Sequence, residues 1–264
     1  MPASAAEPDT RTPAPPARRT ARATALVAAA GAALGVLAFL ADGFQGPVGA
    51  VAMGVVSSAS SWLLGTSVVG FLASTRRSAP LRAALFMAAA TTAYYALRWG
   101  ALEPWRMGSP DPASEPWNSP AGLRFLLVAI VWLVGTAAGG AVVGALAHAI
   151  PRPRGRANAV AIGLWLGVCA APALAYLPDL VSNAVAAGTA PGWIGTADTS
   201  APFVLVSALS ALILVVLAIP AVARRCRALH PSATLVLTAL TSNVLLAVVF
   251  RLGTDVVRAI LDAL

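Results

Sequence analysis

Seven long apolar stretches, at residues 23–41, 48–73, 83–97, 125–150, 157–177, 202–223 and 233–250, are joined by polar connections in which arginines crowd every second one. Most of the stretches reach the ~20 residues that carry a helix across a ~30 Å hydrocarbon core. A chain patterned this way is expected to fold as an all-α polytopic transmembrane bundle of about seven spans. Inside lipid the backbone satisfies its own hydrogen bonds, and only helices and closed barrels do that. The third stretch, at 83–97, is short, but Arg82 and Arg98 flank it and can extend their guanidinium groups towards water.

Composition excludes the ordinary soluble alternative. The chain is 58% hydrophobic and only 11% charged, against roughly 25% charged residues in soluble domains. A net charge of +8 could suggest a nucleic-acid binder, but the basic residues sit in connecting segments and not on one amphipathic face, so no nucleic-acid partner is expected. The expected partner is the lipid bilayer. All the basic residues are arginine, which with the abundant alanine matches a GC-rich, actinobacterium-like coding bias.

Orientation follows from where the arginines fall. Arg11, Arg18, Arg19, Arg22, Arg76, Arg77, Arg82, Arg152, Arg154, Arg156, Arg224, Arg225 and Arg227 share one side. Arg98, Arg106, Arg124, Arg251 and Arg258 share the other with eight of the ten acidic residues, including Asp42, Glu103 and Asp179. By the positive-inside rule the first side is cytoplasmic, the N-terminus lies inside, and the protein is expected in the plasma membrane. Trp99, Trp105, Trp117 and Trp193 fall in or beside the two long outer connections, 98–124 and 178–201, as aromatic belts do. The first stretch follows a basic tail as a secretory signal would. No small-residue cleavage site follows at Phe39, Leu40 and Ala41, so an uncleaved helix is expected.

The domain plan reads as a disordered cytoplasmic tail at 1–22, proline-rich and unable to bury a core, then the bundle at 23–250, then an amphipathic C-terminal helix at 251–264. In that last segment Leu252, Val256, Ile260 and Leu264 recur every fourth position, and Arg251 and Arg258 lie four residues before Asp255 and Asp262. Small residues four apart predict close helix packing through Gly31 and Gly35, Gly135 and Gly139, Gly140 and Gly144, and Gly163 and Gly167. Pro172 and Pro220 are expected to bend their helices.

The second stretch is unusual. Its twenty-six residues would make a helix of about 39 Å, and Ser57, Ser58, Ser60 and Ser61 lie in its middle. Two readings compete. One is a single tilted helix, the primary expectation because serine is tolerated where helices pack closely. The other is a short re-entrant piece followed by a helix starting near Ser57, the broken geometry that lines solute sites in transporters.

The residues Gly31 and Gly35, then Gln45, Gly46 and Pro47, the small-residue run ending at Trp62, and the segment TAYYALRWG at 92–100 resemble an uncharacterised family of actinobacterial multi-pass membrane proteins classed as a domain of unknown function. The resemblance covers about residues 24–180. Serines stand where that family is expected to have an asparagine. It implies an integral membrane bundle and brings no activity, cofactor or site residues with it.

Chemical motifs are sparse. His148 and His230 lie near cytoplasmic helix ends without acidic or thiol companions at ligand spacing, so no metal site is expected. Cys169, inside the fifth stretch, and Cys226, in a cytoplasmic loop, are not expected to pair. The serine run has no membrane-embedded histidine or lysine to activate a nucleophile, and phosphate-loop, zinc-protease and nucleophile-elbow patterns are missing. The reading is therefore a protein without enzymatic activity or cofactor. Two function classes stay open. The first is small-solute transport, alone or as the membrane subunit of a transporter, with an outer vestibule formed by Asp42, Gln45, Tyr94, Tyr95, Trp105 and Asp179. The second is a membrane scaffold or regulator acting through partners, touched through Arg224, Arg225 and Arg227 or the tail.

Overall fold

A computed structural model describes residues 16–44, 46–103, 120–150, 156–175, 237–245 and 247–248, with Leu252 and Ala259 as single helical positions. The described residues are all-α, with no strand among them. The elements are α1 (Pro16–Asp42), α2 (Gly46–Ala52), a π-helical turn (Met53–Ser57), α3 (Ala59–Leu72), α4 (Ser78–Leu102), α5 (Pro120–Ala149) and α6 (Arg156–Ala175), and 237–245 is again helical. Among the described residues two helices, Thr20–Asp42 within α1 and Pro120–Ala149, are long and apolar enough to cross a membrane. The sixth apolar stretch, Pro220 and nearly all of 251–264 lie outside the described residues.

Several boundaries differ from the sequence reading. α1 begins at Pro16, so residues 16–22 are helical where a disordered tail was expected. Proline is well placed in a first helical turn because its missing N–H has no partner to lose there. α4 runs twenty-five residues, well past the fifteen-residue apolar run. Its start is fixed by Thr75 and Ser78, which bond reciprocally: the Ser78 N–H donates to Thr75 Oγ1 at 3.1 Å, and the Thr75 N–H to Ser78 Oγ at 3.2 Å. It ends at Glu103, whose φ of 41° is left-handed and cannot continue a helix.

Helix directions can be read from the residues that meet. A Cβ added to Gly31 would strike the Phe86 carbonyl, and one added to Gly35 the Ala90 carbonyl, so α1 and α4 run parallel with backbones in contact. Trp62 meets Tyr94 while Gly65 meets Phe86, so α3 runs antiparallel to α4. Thr136 meets Thr91 at 2.8 Å between hydroxyls, Gly140 meets Met87 and Ala83, and Gly144 meets Ala83 and Ala79, so α5 too is antiparallel to α4. α4 therefore lies between α1 and α5, and α3 rests on both α4 and α5. Gly70 of α3 faces Gly144 of α5 with no side chain between them.

Not every glycine of the packing stripe faces protein. Among the described residues nothing lies within 4 Å of where a Cβ on Gly135 or Gly139 would stand. The reason is helical phase. Thr136, Gly140, Val143, Gly144 and Ala147 form one face of α5 toward its neighbours, and a one-residue offset turns a position about 100° away from it. Gly163 is buried and its carbonyl accepts from Ser242 Oγ at 3.3 Å, while Gly167 abuts Ser242 and Asn243, so helix 237–245 packs on α6 at those two glycines.

The interior is small and partly polar. Ala38, Ala79, Ala83 and Ala90 are buried with Ser60, Thr66, Ser67 and Thr91, while Leu26, Leu40, Ile130, Val134 and Leu240 stand exposed. The largest apolar cluster joins Val143, Ala147 and Ile150 of the α5 end to Ile162, Trp165 and Cys169 of α6. The Trp165 indole donates to Ser67 Oγ at 2.7 Å, which ties α6 to α3. His148 lies in the last turn of α5, at a helix end as read from the sequence, and is 3% exposed.

Candidate functional site

The second apolar stretch is not one tilted helix. α2 passes into the π turn, Ser58 takes an extended conformation (φ −68°, ψ 143°), and α3 starts afresh at Ala59. The serines are the cause. Ser58 caps α3, its Oγ accepting from the Ser61 N–H at 3.3 Å, and its carbonyl accepts from the N–H groups of Ser61 and Trp62 at 3.1 and 3.3 Å. The break leaves carbonyls without helical partners, and side chains supply them. The Ser61 hydroxyl donates to the Val55 carbonyl, and the Trp62 indole donates to the Val56 carbonyl at 3.1 Å. A backbone break is tolerated in an apolar setting only where such substitutes exist.

The break is seated against the end of α1. Ser57, the last residue of the π turn, places its hydroxyl 3.1 Å from the Ala38 carbonyl and 2.9 Å from Asp42 Oδ1, and shares its one proton between them. The chain leaves α1 at Asp42 and is back beside Asp42 at Ser57, so residues 46–57 make no net progress along α1. The traverse from the Asp42 end to the opposite end is made by α3 alone. Its fourteen residues rise about 21 Å.

α4 completes the site. Tyr94 and Arg98, four residues apart, share a helix face, and the Arg98 guanidinium lies 5.6 Å from the centre of the Tyr94 ring. Arg98 Nη1 donates to the Tyr94 hydroxyl at 2.9 Å, and that hydroxyl donates in turn to Asp42 Oδ2. A carboxylate and a guanidinium are thus joined through one phenol. Each keeps hydrogen-bonding capacity: about four acceptor positions on a carboxylate and five N–H donors on a guanidinium.

Aromatic rings line the surroundings. Trp62 and Tyr94 meet edge to face at 6.3 Å, Tyr94 and Tyr95 at 5.3 Å, and Tyr95 and Phe125 at 5.7 Å, while Trp99 lies tilted against Phe125 at 5.5 Å. Such pairs are favourable beyond their buried area and hold ring orientation. The result is a polar chain of Ser57, Asp42, Tyr94 and Arg98 with an aromatic margin, built from three separate segments.

Of the residues expected to form an outer vestibule, Asp42, Tyr94 and Tyr95 come together here, whereas Gln45, Trp105 and Asp179 lie outside the described residues. Three participants were not in that set. In the sequence Arg98 stands as a flanking and orienting arginine, Ser57 as part of the serine run, and Trp62 as the end of the small-residue stretch. The four-residue spacing of Tyr94 and Arg98 was a usable signal. Nothing in the sequence pointed Ser57 at Asp42. Comparison with protein-family models, with curated proteins and with solved structures finds no match to this chain.

Proposed function

We propose that this chain is a multi-pass plasma-membrane protein with a cytoplasmic N-terminus and about seven spans, without enzymatic activity, that takes up a small solute at Asp42, Ser57, Tyr94 and Arg98, alone or as the membrane subunit of a transporter. The observation that carries the reading is the break in the second apolar segment, seated directly beside a carboxylate that the Tyr94 phenol links to a guanidinium. Broken helices with charged and hydroxyl groups at the break are how membrane carriers build polar sites in apolar surroundings. The inverted composition supports the membrane setting, since small and polar side chains are buried while leucine and valine face outward. The alternating helix directions support a serpentine path.

Reconstitution tests it. Proteoliposomes containing the full chain should swell in isotonic solutions of a permeant small solute faster than empty liposomes, and Asp42→Ala should return the rate towards that of the empty control. Swelling equal to empty liposomes for neutral, anionic, cationic and zwitterionic solutes removes the permeation reading. It would leave the scaffold alternative, which the open Gly135 and Gly139 face of α5 favours.

A further inference from the structure

The cluster described above also carries information about what it would hold, and the following inference rests on the solute-site reading. We infer that Asp42 and Arg98 together take a zwitterion, the ligand's anionic group on the Arg98 fork and its primary ammonium on Asp42. Among the described residues the Arg98 guanidinium, which is half-buried, donates to one acceptor, the neutral oxygen of Tyr94. A guanidinium is best served by a carboxylate or phosphate that accepts two parallel N–H bonds, and charge-assisted bonds are about twice as strong as neutral ones. Asp42 is exposed and is held by two neutral hydroxyls, Ser57 on Oδ1 and Tyr94 on Oδ2, which fix its orientation without cancelling its charge.

Spacing narrows the ligand. Both charged groups bond the same phenolic oxygen, so the ligand's opposite charges must be only a few bonds apart. An α-amino acid and a phosphoethanolamine group both meet that condition. A singly charged solute would pair with one side and displace water from the other without return, and a neutral one would pair with neither. Trp62 and Tyr95, standing edge to face against Tyr94, hold the orientation of the phenol that bridges the two charged groups. The shared chemistry is a primary ammonium close to an oxyanion. Its source is either a free amino acid or the headgroup of a phosphatidylethanolamine lipid.

Calorimetric titration of the full chain in dodecyl maltoside micelles tests this with L-alanine and O-phosphoethanolamine against acetate and ethylammonium. The zwitterions should bind at least about tenfold more tightly than either single-charge probe. Asp42→Asn and Arg98→Gln should each weaken zwitterion binding by about tenfold or more, whereas Tyr94→Phe, which keeps both charges, should weaken it less. Unchanged elution volume and helix content of the variants separate a lost site from a lost fold. Repeating the L-alanine titration in nanodiscs distinguishes the sources: binding retained in phosphatidylcholine and abolished by added phosphatidylethanolamine assigns the lipid headgroup, and binding retained in both assigns the free solute. Acetate or ethylammonium binding as tightly as the zwitterions overturns the inference and leaves a solute site standing. So does undiminished L-alanine binding in both charge variants. No heat from any probe overturns it too, and the swelling assay then decides separately whether the broader reading survives.

Discussion

At the scale of single residues, Tyr94 is the hinge of the polar cluster because its hydroxyl both donates to Asp42 and accepts from Arg98. Tyr95 is the natural control. It has the same ring, packed edge to face on Tyr94 and near Phe125. Tyr94→Phe removes one bond from a carboxylate and one from a guanidinium that water can reach, and should cost about 0.5–1.5 kcal/mol. Tyr95→Phe should change stability by a smaller amount. Thermal unfolding of both variants in detergent checks this, and equal losses would mean that the Tyr94 hydroxyl contributes no more than that of Tyr95. Asp42 was legible as a candidate because it is the acid that closes the first apolar stretch. Arg98 carries a second role besides flanking the third apolar stretch, since its guanidinium reaches back one turn to Tyr94.

At the scale of elements, the break at Ser58 and the glycine contacts decide how closely the helices approach. Ser58→Ala removes the cap of α3 and should cost about 0.5–2 kcal/mol. Trp62→Phe leaves the Val56 carbonyl without its indole donor, a further loss of about 1–3 kcal/mol if no water enters. Hydrogen exchange across 53–62 should rise in both variants, and unchanged protection would show that the break holds without those bonds. Among the glycines the expectation is a split within one helix. Gly144→Leu must push against Ala83 and Ala79, and overpacking of that kind costs about 1–3 kcal/mol or more. Gly139→Leu meets open space and should be tolerated, with higher helix propensity as a small gain. Yield and melting temperature in detergent compare the two directly, and a reversed order would mean that α5 is turned about its axis relative to α4.

For the whole molecule, the consequence of the broken segment is topological. Residues 46–57 return to the level at which they began, yet α3 still runs antiparallel to α4 from the Tyr94 end to the Ala79 end, so under the proposed topology 48–73 makes one crossing. With that count kept, a reporter active only outside the cytoplasm should be active when fused after Leu264 or inserted within 178–201, and silent within 152–156. A silent fusion after Leu264 combined with an active one in 178–201 would place an even number of crossings in the chain. The exposed leucines and valines of α1 and α5 support the proposed membrane setting, because in water they would form an apolar surface that a soluble monomer rarely carries.

Helical class, the C-terminal ends of α5 and α6 to within a couple of residues, and the close packing at Gly31, Gly35, Gly140 and Gly144 were legible in the sequence itself. Each depends on local periodicity, hydrophobic length and the absence of a Cβ, which a chain carries without reference to its neighbours. Tertiary structure decided the rest. Whether Gly139 or Gly140 faces protein is a matter of helix rotation, set by what packs alongside. Whether 48–73 bends or breaks depended on acceptors and donors brought from elsewhere: the Val55 and Val56 carbonyls needed Ser61 and Trp62, and Ser57 needed Ala38 and Asp42, fifteen and more residues away. A break in a helix costs several unsatisfied backbone groups, and only the folded arrangement reveals whether they are satisfied. The juxtaposition of Asp42 with Arg98 through Tyr94 likewise needed α1 and α4 to lie parallel and in contact, which two glycines permit and no local pattern prescribes.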